Sequence, residues 1–172
     1  MHRVKKSALS IVFLWTTLSV TLLGTASASA TEGPPDAVID LPAGFACAGF
    51  DLRIEIRGGT QVFNEFTDKN GNLVRTLAAG KGSELTYINL ATGATFIQKA
   101  SGSVAHVTYH PDGSSTWVTT GHNSLILFPS DVPAGPSTTL TVGRVVFTVD
   151  TNVFTVTQVR GKTTDICAAL SS

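Results

Sequence analysis

Phe50-Asp51-Leu52-Arg53-Ile54-Glu55-Ile56-Arg57-Gly58-Gly59 is the stretch that decides the fold class. Phe50, Leu52, Ile54 and Ile56 alternate with Asp51, Arg53, Glu55 and Arg57, so an extended chain puts all the apolar groups on one face and all the charges on the other. Gly58-Gly59 then supplies a tight turn, because glycine adopts the positive φ angles such turns need.

The same grammar repeats downstream. Strands are predicted near 60–67, 73–79, 84–90, 94–100, 103–110, 114–120, 123–128, 139–149 and 153–160. Between them stand Asp68-Lys69-Asn70-Gly71, Gly80-Lys81-Gly82, Ala91-Thr92-Gly93, Ser101-Gly102, Pro111-Asp112-Gly113 and Gly121-His122, all rich in turn-forming residues. Thr and Val dominate the strand segments, as β-branched residues suit a pleated sheet. Pro129 to Ser137 holds three prolines and a glycine, so it is expected to cross an end of the sheet. Thr164 to Leu170 offers a Thr N-cap, an early acid and good helix formers, which predicts a short C-terminal helix.

The expectation is an all-β antiparallel meander of eight to ten strands. One apolar face must be hidden and two edges managed, and closing the sheet on itself does both. An up-and-down β-barrel is therefore the first choice and a β-sandwich the alternative.

Upstream, residues 1–30 read as a secretory signal peptide. Arg3, Lys5 and Lys6 precede an apolar stretch from Ala8 to Gly24, and Ala26-Ser27-Ala28-Ser29-Ala30 offers small residues for cleavage after Ala30. No Arg-Arg pair is present, which favours the general secretory route. Residues 31–44, with Pro34, Pro35 and Pro42, read as a flexible leader, and 45–172 as a single β domain. The expected location is extracellular.

The signal would remove three of the twelve basic side chains and none of the twelve acidic ones, leaving nine against twelve. The mature chain is mildly acidic and its basic residues are scattered, which argues against nucleic acid as a partner. No polybasic or amphipathic helical segment suggests a membrane surface after cleavage. A monomer is expected.

Cys47 and Cys167 are the two cysteines. In an oxidising compartment they are expected to pair, tying the first element to the last, and no C-x-x-C suggests redox chemistry.

Residues able to carry chemistry are sparse. His106, His110 and His122 lie close in sequence, but His106 and His110 on one strand would stand roughly 13 Å apart, too far to share a metal. No metal or other cofactor is expected. A hairpin at Pro111-Asp112-Gly113 would set His110 against Ser114, Thr108 against Thr116 and Val107 against Trp117. Tyr109 and Trp117 then share an apolar face, while His106 and His110 share the other with Val118. His106, His110, Tyr109 and Trp117 are the candidate site. No G-x-S-x-G elbow or P-loop is present, and Asp51 with Glu55 is interleaved with arginines as a solvated face would be, so no catalytic residue is assigned.

The N-terminal signal, the Thr/Val-rich meander and the closing Gly161-Lys162-Thr163-Thr164-Asp165-Ile166-Cys167-Ala168-Ala169-Leu170 resemble small secreted β-rich proteins of actinobacteria. That resemblance implies no activity and carries no site residue over. The favoured function is a secreted non-enzymatic β domain binding a small apolar molecule or a protein. Alternatives are a structural or inhibitory extracellular protein acting through a loop at Ser130 to Thr138, and a small barrel enzyme of cyclase or hydrolase type. A cavity would favour binder or enzyme, and a histidine beside a carboxylate in that cavity would favour the enzyme.

Overall fold

The computed structural model describes residues 33–172, so the predicted signal and Ala30 lie outside the described residues. The chain forms β1 (Ala37–Leu41), β2 (Leu52–Arg57), β3 (Thr60–Thr67), β4 (Leu73–Lys81), β5 (Glu84–Asn89), β6 (Thr95–Gln98), β7 (Gly102–Tyr109), β8 (Ser115–Leu127), β9 (Ser137–Asp150), β10 (Val153–Asp165) and the one-turn helix α1 (Ile166–Ala169). The fold is all-β, with two antiparallel sheets ordered β1-β2-β5-β6 and β10-β9-β8-β7-β4-β3. Among the described residues no pairing joins β3 to β10 to close the larger sheet.

The predicted meander survives in a folded form. β3 pairs with β4 while β2 pairs with β5, and β4 pairs with β7 while β5 pairs with β6. Each of β2/β3, β4/β5 and β6/β7 is thus one long strand bent at its middle, with its halves in different sheets. Gly58-Gly59, expected to close a hairpin, is instead a corner between sheets. So are Gly82-Ser83 and the residues before Gly102, and the corners are sewn together. Ser83 Oγ donates to the Gly58 carbonyl at 2.8 Å, and Gly82 N donates to the Ser101 carbonyl at 2.8 Å.

The larger sheet is creased along a row of facing residues: Gln61, Gly80, Ser103, Gly121, Gly143 and Gly161. Its four glycines have φ of 151°, 95°, 153° and 129°, a region closed to most L side chains. A Cβ on Gly143 would collide with the Arg160 carbonyl oxygen, and one on Gly161 with that of Val142. This explains a correction: Gly121-His122 does not separate two strands but bends the single strand β8.

Two other boundaries move. The segment expected as a flexible leader contains β1, whose Val38 and Ile39 pair with Glu55 and Ile54, so the folded unit starts before Phe45. The helix N-cap is Asp165, the last residue of β10, whose carboxylate accepts from Ala168 N at 2.9 Å, while Thr164 lies one residue further back in the strand, facing Leu140 of β9.

The principal core lies under the small sheet. Leu52, Ile54 and Tyr87 bury their side chains with Ala46, Cys47, Phe50, Ile166 and Leu170, against Ile126 and Leu140 of the large sheet. The period-two face of β2 is the one the alternation selects. On its charged side, Arg53 pairs with Asp40 of β1 at 2.8 Å.

Cys47 and Cys167 are bonded, with Cα atoms 5.6 Å apart and 120 residues between them. Replacing both by alanine is expected to lower unfolding stability by about 4 kcal/mol, from the loop entropy returned to the unfolded chain, measured as a shift in the urea midpoint. Gly143→Ala should cost about 2 kcal/mol or more in the same measurement. Gly49→Ala, at a position with open space and no positive φ, should be near neutral.

Candidate functional site

β7 and β8 place the predicted residues through the register the sequence anticipates. Val107 faces Trp117, Thr108 faces Thr116, and His110 N donates to the Ser114 carbonyl at 2.9 Å across Pro111-Asp112-Gly113. Strand alternation then separates the four candidates. Trp117 and Tyr109 sit on one face of the large sheet and His106 on the other, opposite Leu77 and Val118.

Trp117 leads into a cleft of about 470 Å³. Its ring stacks on Phe147 of β9, with centroids 5.7 Å apart and planes 12° off parallel, and Phe147 in turn meets Phe154 of β10 at 5.7 Å. Phe128 and Val145 add apolar wall, while Gln61, His122 and Asn123 bring polar groups. Gln61 belongs to one edge strand of the large sheet and Phe154 to the other. The sheet is therefore curled enough for both edges to line one space.

A buried carboxylate holds part of this wall in place. Asp131, only 2% exposed, accepts from Phe128 N at 2.6 Å and from Phe154 N at 2.9 Å. Val132 adds backbone bonds, donating to the Phe154 carbonyl and accepting from Val156 N. The proline-rich connector thus docks on β10 and sets both phenylalanines at the cleft.

The histidines do not meet one another in this site. His106 lines a separate depression of about 410 Å³ with Phe66, Arg75, Leu77 and Val118. There Arg75 lies over the Phe66 ring, 4.2 Å from its centroid, and no carboxylate joins them. His110 contacts Thr116 Oγ1 through Nε2 at 2.8 Å. It shares a third depression with Tyr109 and Asp68. That carboxylate is occupied by its own turn: it accepts from Asn72 N and Nδ2 and from Asn70 N, and these bonds hold its pKa below the ordinary carboxylate range. Asp68 is consequently an anionic turn brace and a poor general acid.

Among the described residues no group of three or more His, Cys, Asp or Glu gathers to hold a metal ion. Among the described residues, the Trp117 cleft is lined by His122 but by neither carboxylate nor amine. Its chemistry is that of apolar contact with a few hydrogen-bonding groups, and no acid-base pair is assembled there.

Of the cleft, sequence reasoning identified Trp117 and missed Phe128, Phe147, Phe154, Gln61 and Asn123. Phe147 was legible as an inward position, since Val145 and Phe147 share a phase in the strand predicted over 139–149. Gln61 and Phe154, far apart in sequence and on opposite sheet edges, carry no local signal of their meeting.

Asp131→Ala would leave two amides without their acceptor. A loss of about 2 to 3 kcal/mol is expected, read by urea unfolding, with Asp131→Asn losing less because one side-chain oxygen remains.

Comparison with protein-family models, with curated proteins and with solved structures yields no match to the chain.

Proposed function

We propose that the protein is a secreted, non-enzymatic β domain that binds a small apolar molecule in the Trp117 cleft. The observation that carries this reading is the Trp117-Phe147-Phe154 aromatic row lining a concavity of about 470 Å³ with no carboxylate among the described residues that line it. Small-molecule sites combine just such an apolar wall with a few polar groups that orient the ligand, and this volume falls in their range. Asn123 and His122 supply the orienting groups. Asn123 Nδ2 already donates to the Gly121 and Gly143 carbonyls, which fixes the amide beside the crease.

The enzyme reading lacks a histidine-carboxylate pair in this cleft, so binding is the better-supported function. The Cys47–Cys167 bridge fits the oxidising compartment to which the N-terminal sequence would send the chain. In finer architecture we read the large sheet as an incompletely closed barrel. Its two edges share a cleft, while the small sheet folds over one end as a sandwich layer would.

Cleavage after Ala30 would leave Trp117 as the sole tryptophan, so indole fluorescence reports this cleft directly. Titration with anilinonaphthalene sulfonate, an apolar fluorescent probe, should give saturable energy transfer from Trp117 at a stoichiometry of one. Ala105→Phe, which fills the cleft from β7, should weaken the probe at least about tenfold, equivalent to about 1.4 kcal/mol. Absence of saturable transfer in a protein with native circular dichroism would refute the reading.

A further inference from the structure

The face of the large sheet turned away from the Trp117 cleft is positively charged, although the chain has as many acidic as basic side chains. The strand register gathers there what the sequence scatters. Arg144 of β9 stands directly opposite Arg160 of β10, with Thr120 of β8 on its other side. Like charges facing each other across a ladder repel. Their neighbours on this face, Thr120, Val146 and Gln158, include no acid to offset them.

Beyond Thr120, Arg75 of β4 and His106 of β7 are diagonal neighbours, since Leu77 faces His106 and Arg75 faces Thr108. Both line the depression of about 410 Å³, whose apolar lining includes Leu77, Val104 and Val118. Among the described residues, no carboxylate lines it. The Arg75 guanidinium lies over the Phe66 ring, 4.2 Å from its centroid. An aromatic face steadies a guanidinium, whose N–H fork can still take a carboxylate bidentately. Among the described residues, however, the Arg75 and His106 side chains meet no ion-pair or hydrogen-bond partner.

We propose that this depression binds a small amphiphilic anion, a free carboxylate carried on a short apolar chain. The Arg75 fork takes the carboxylate together with the His106 ring, which offers an N–H donor in either charge state. The chain lies over Leu77, Val104 and Val118. The lining selects this class on both counts. A bare anion would leave the three apolar side chains in water, and an uncharged chain would leave Arg75 without its partner. A cation would be repelled by Arg75 in the depression and by Arg144 and Arg160 beyond its rim. Arg75 is exposed, so its charge contributes modestly and the expected affinity is submillimolar at best. The site lies on the opposite face of the sheet and does not rest on the ligand assigned to the Trp117 cleft.

Octanoate titrated into the disulfide-bonded, methyl-labelled protein and followed by NMR tests it. Saturable shifts are expected at the Leu77, Val104 and Val118 methyls, with those of Val107 and Val145 on the other face unmoved. Acetate, which has the head alone, and 1-octanol, which has the chain alone, should each bind at least about five-fold more weakly. Arg75→Gln should weaken octanoate about five-fold and leave octanol unchanged. Val104→Glu, which sets a carboxylate in the depression, should abolish octanoate binding. Ala105→Phe fills the cleft on the other face and should leave octanoate unaffected, which separates failure of this site from failure of the Trp117 reading. Equal affinities for octanoate and octanol, or an unchanged affinity in Arg75→Gln, would overturn the proposal. So would shifts confined to Val107 and Val145. Arg75-dependent sedimentation with phosphatidylglycerol vesicles would also overturn it, by making this face a membrane contact.

Discussion

A line of backbone that tolerates no Cβ organises this molecule. Gly80, Gly121, Gly143 and Gly161 face one another through Ser103 across five strands, all with positive φ. Each turns its strand at the same level, so the large sheet bends as a unit and keeps its register through the bend. Were the sheet flat, the long strands β8, β9 and β10 could not serve two environments. With the crease, one end of β8 and β9 packs Ile126 and Leu140 into the core beneath the small sheet. The other end presents Trp117 and Phe147 to a cleft that continues past the crease to Asn123, Ile126 and Phe128.

The remaining constraints secure what the crease creates. The small sheet is the outer continuation of the same meander, carried over at Gly58-Gly59 and Gly82-Ser83. Ser83 ties one corner to the next. The disulfide then fixes the last turn of chain to the segment before β2, where Ile166 and Leu170 complete the core. At the cleft, Asp131 does for the proline-rich connector what a strand pairing does elsewhere. It gives two half-buried amides an acceptor and so places Phe128 and Phe154.

Much of this was legible wherever the signal is local. Alternation fixes the inward face of β2, and turn residues place the β7-β8 hairpin to the correct facing pair. Two cysteines and no others, behind a leader that reads as an export signal, make the disulfide an expectation. Glycine was the ambiguous letter: Gly58-Gly59 and Gly121 look like hairpin turns, because a positive φ serves a reversal and a bend equally well. Which it is depends on whether neighbouring strands bend at the same register position, a relation between residues tens of positions apart. The cleft was half legible for the same reason. Trp117 announces itself by size and phase, whereas its neighbours from β3 and β10 arrive only through the curl of the sheet. His106, singled out by residue type alone, lies on the opposite face.

The most direct test of the creased sheet is a two-dimensional proton NMR experiment on the cross-strand contacts of Gly121, Gly143 and Gly161 and of the Trp117 indole. The account predicts sequential short contacts along the glycine row, and indole contacts to the Phe147 ring with none to His106. A register shifted by one residue, or an indole in contact with the His106 face, would contradict it.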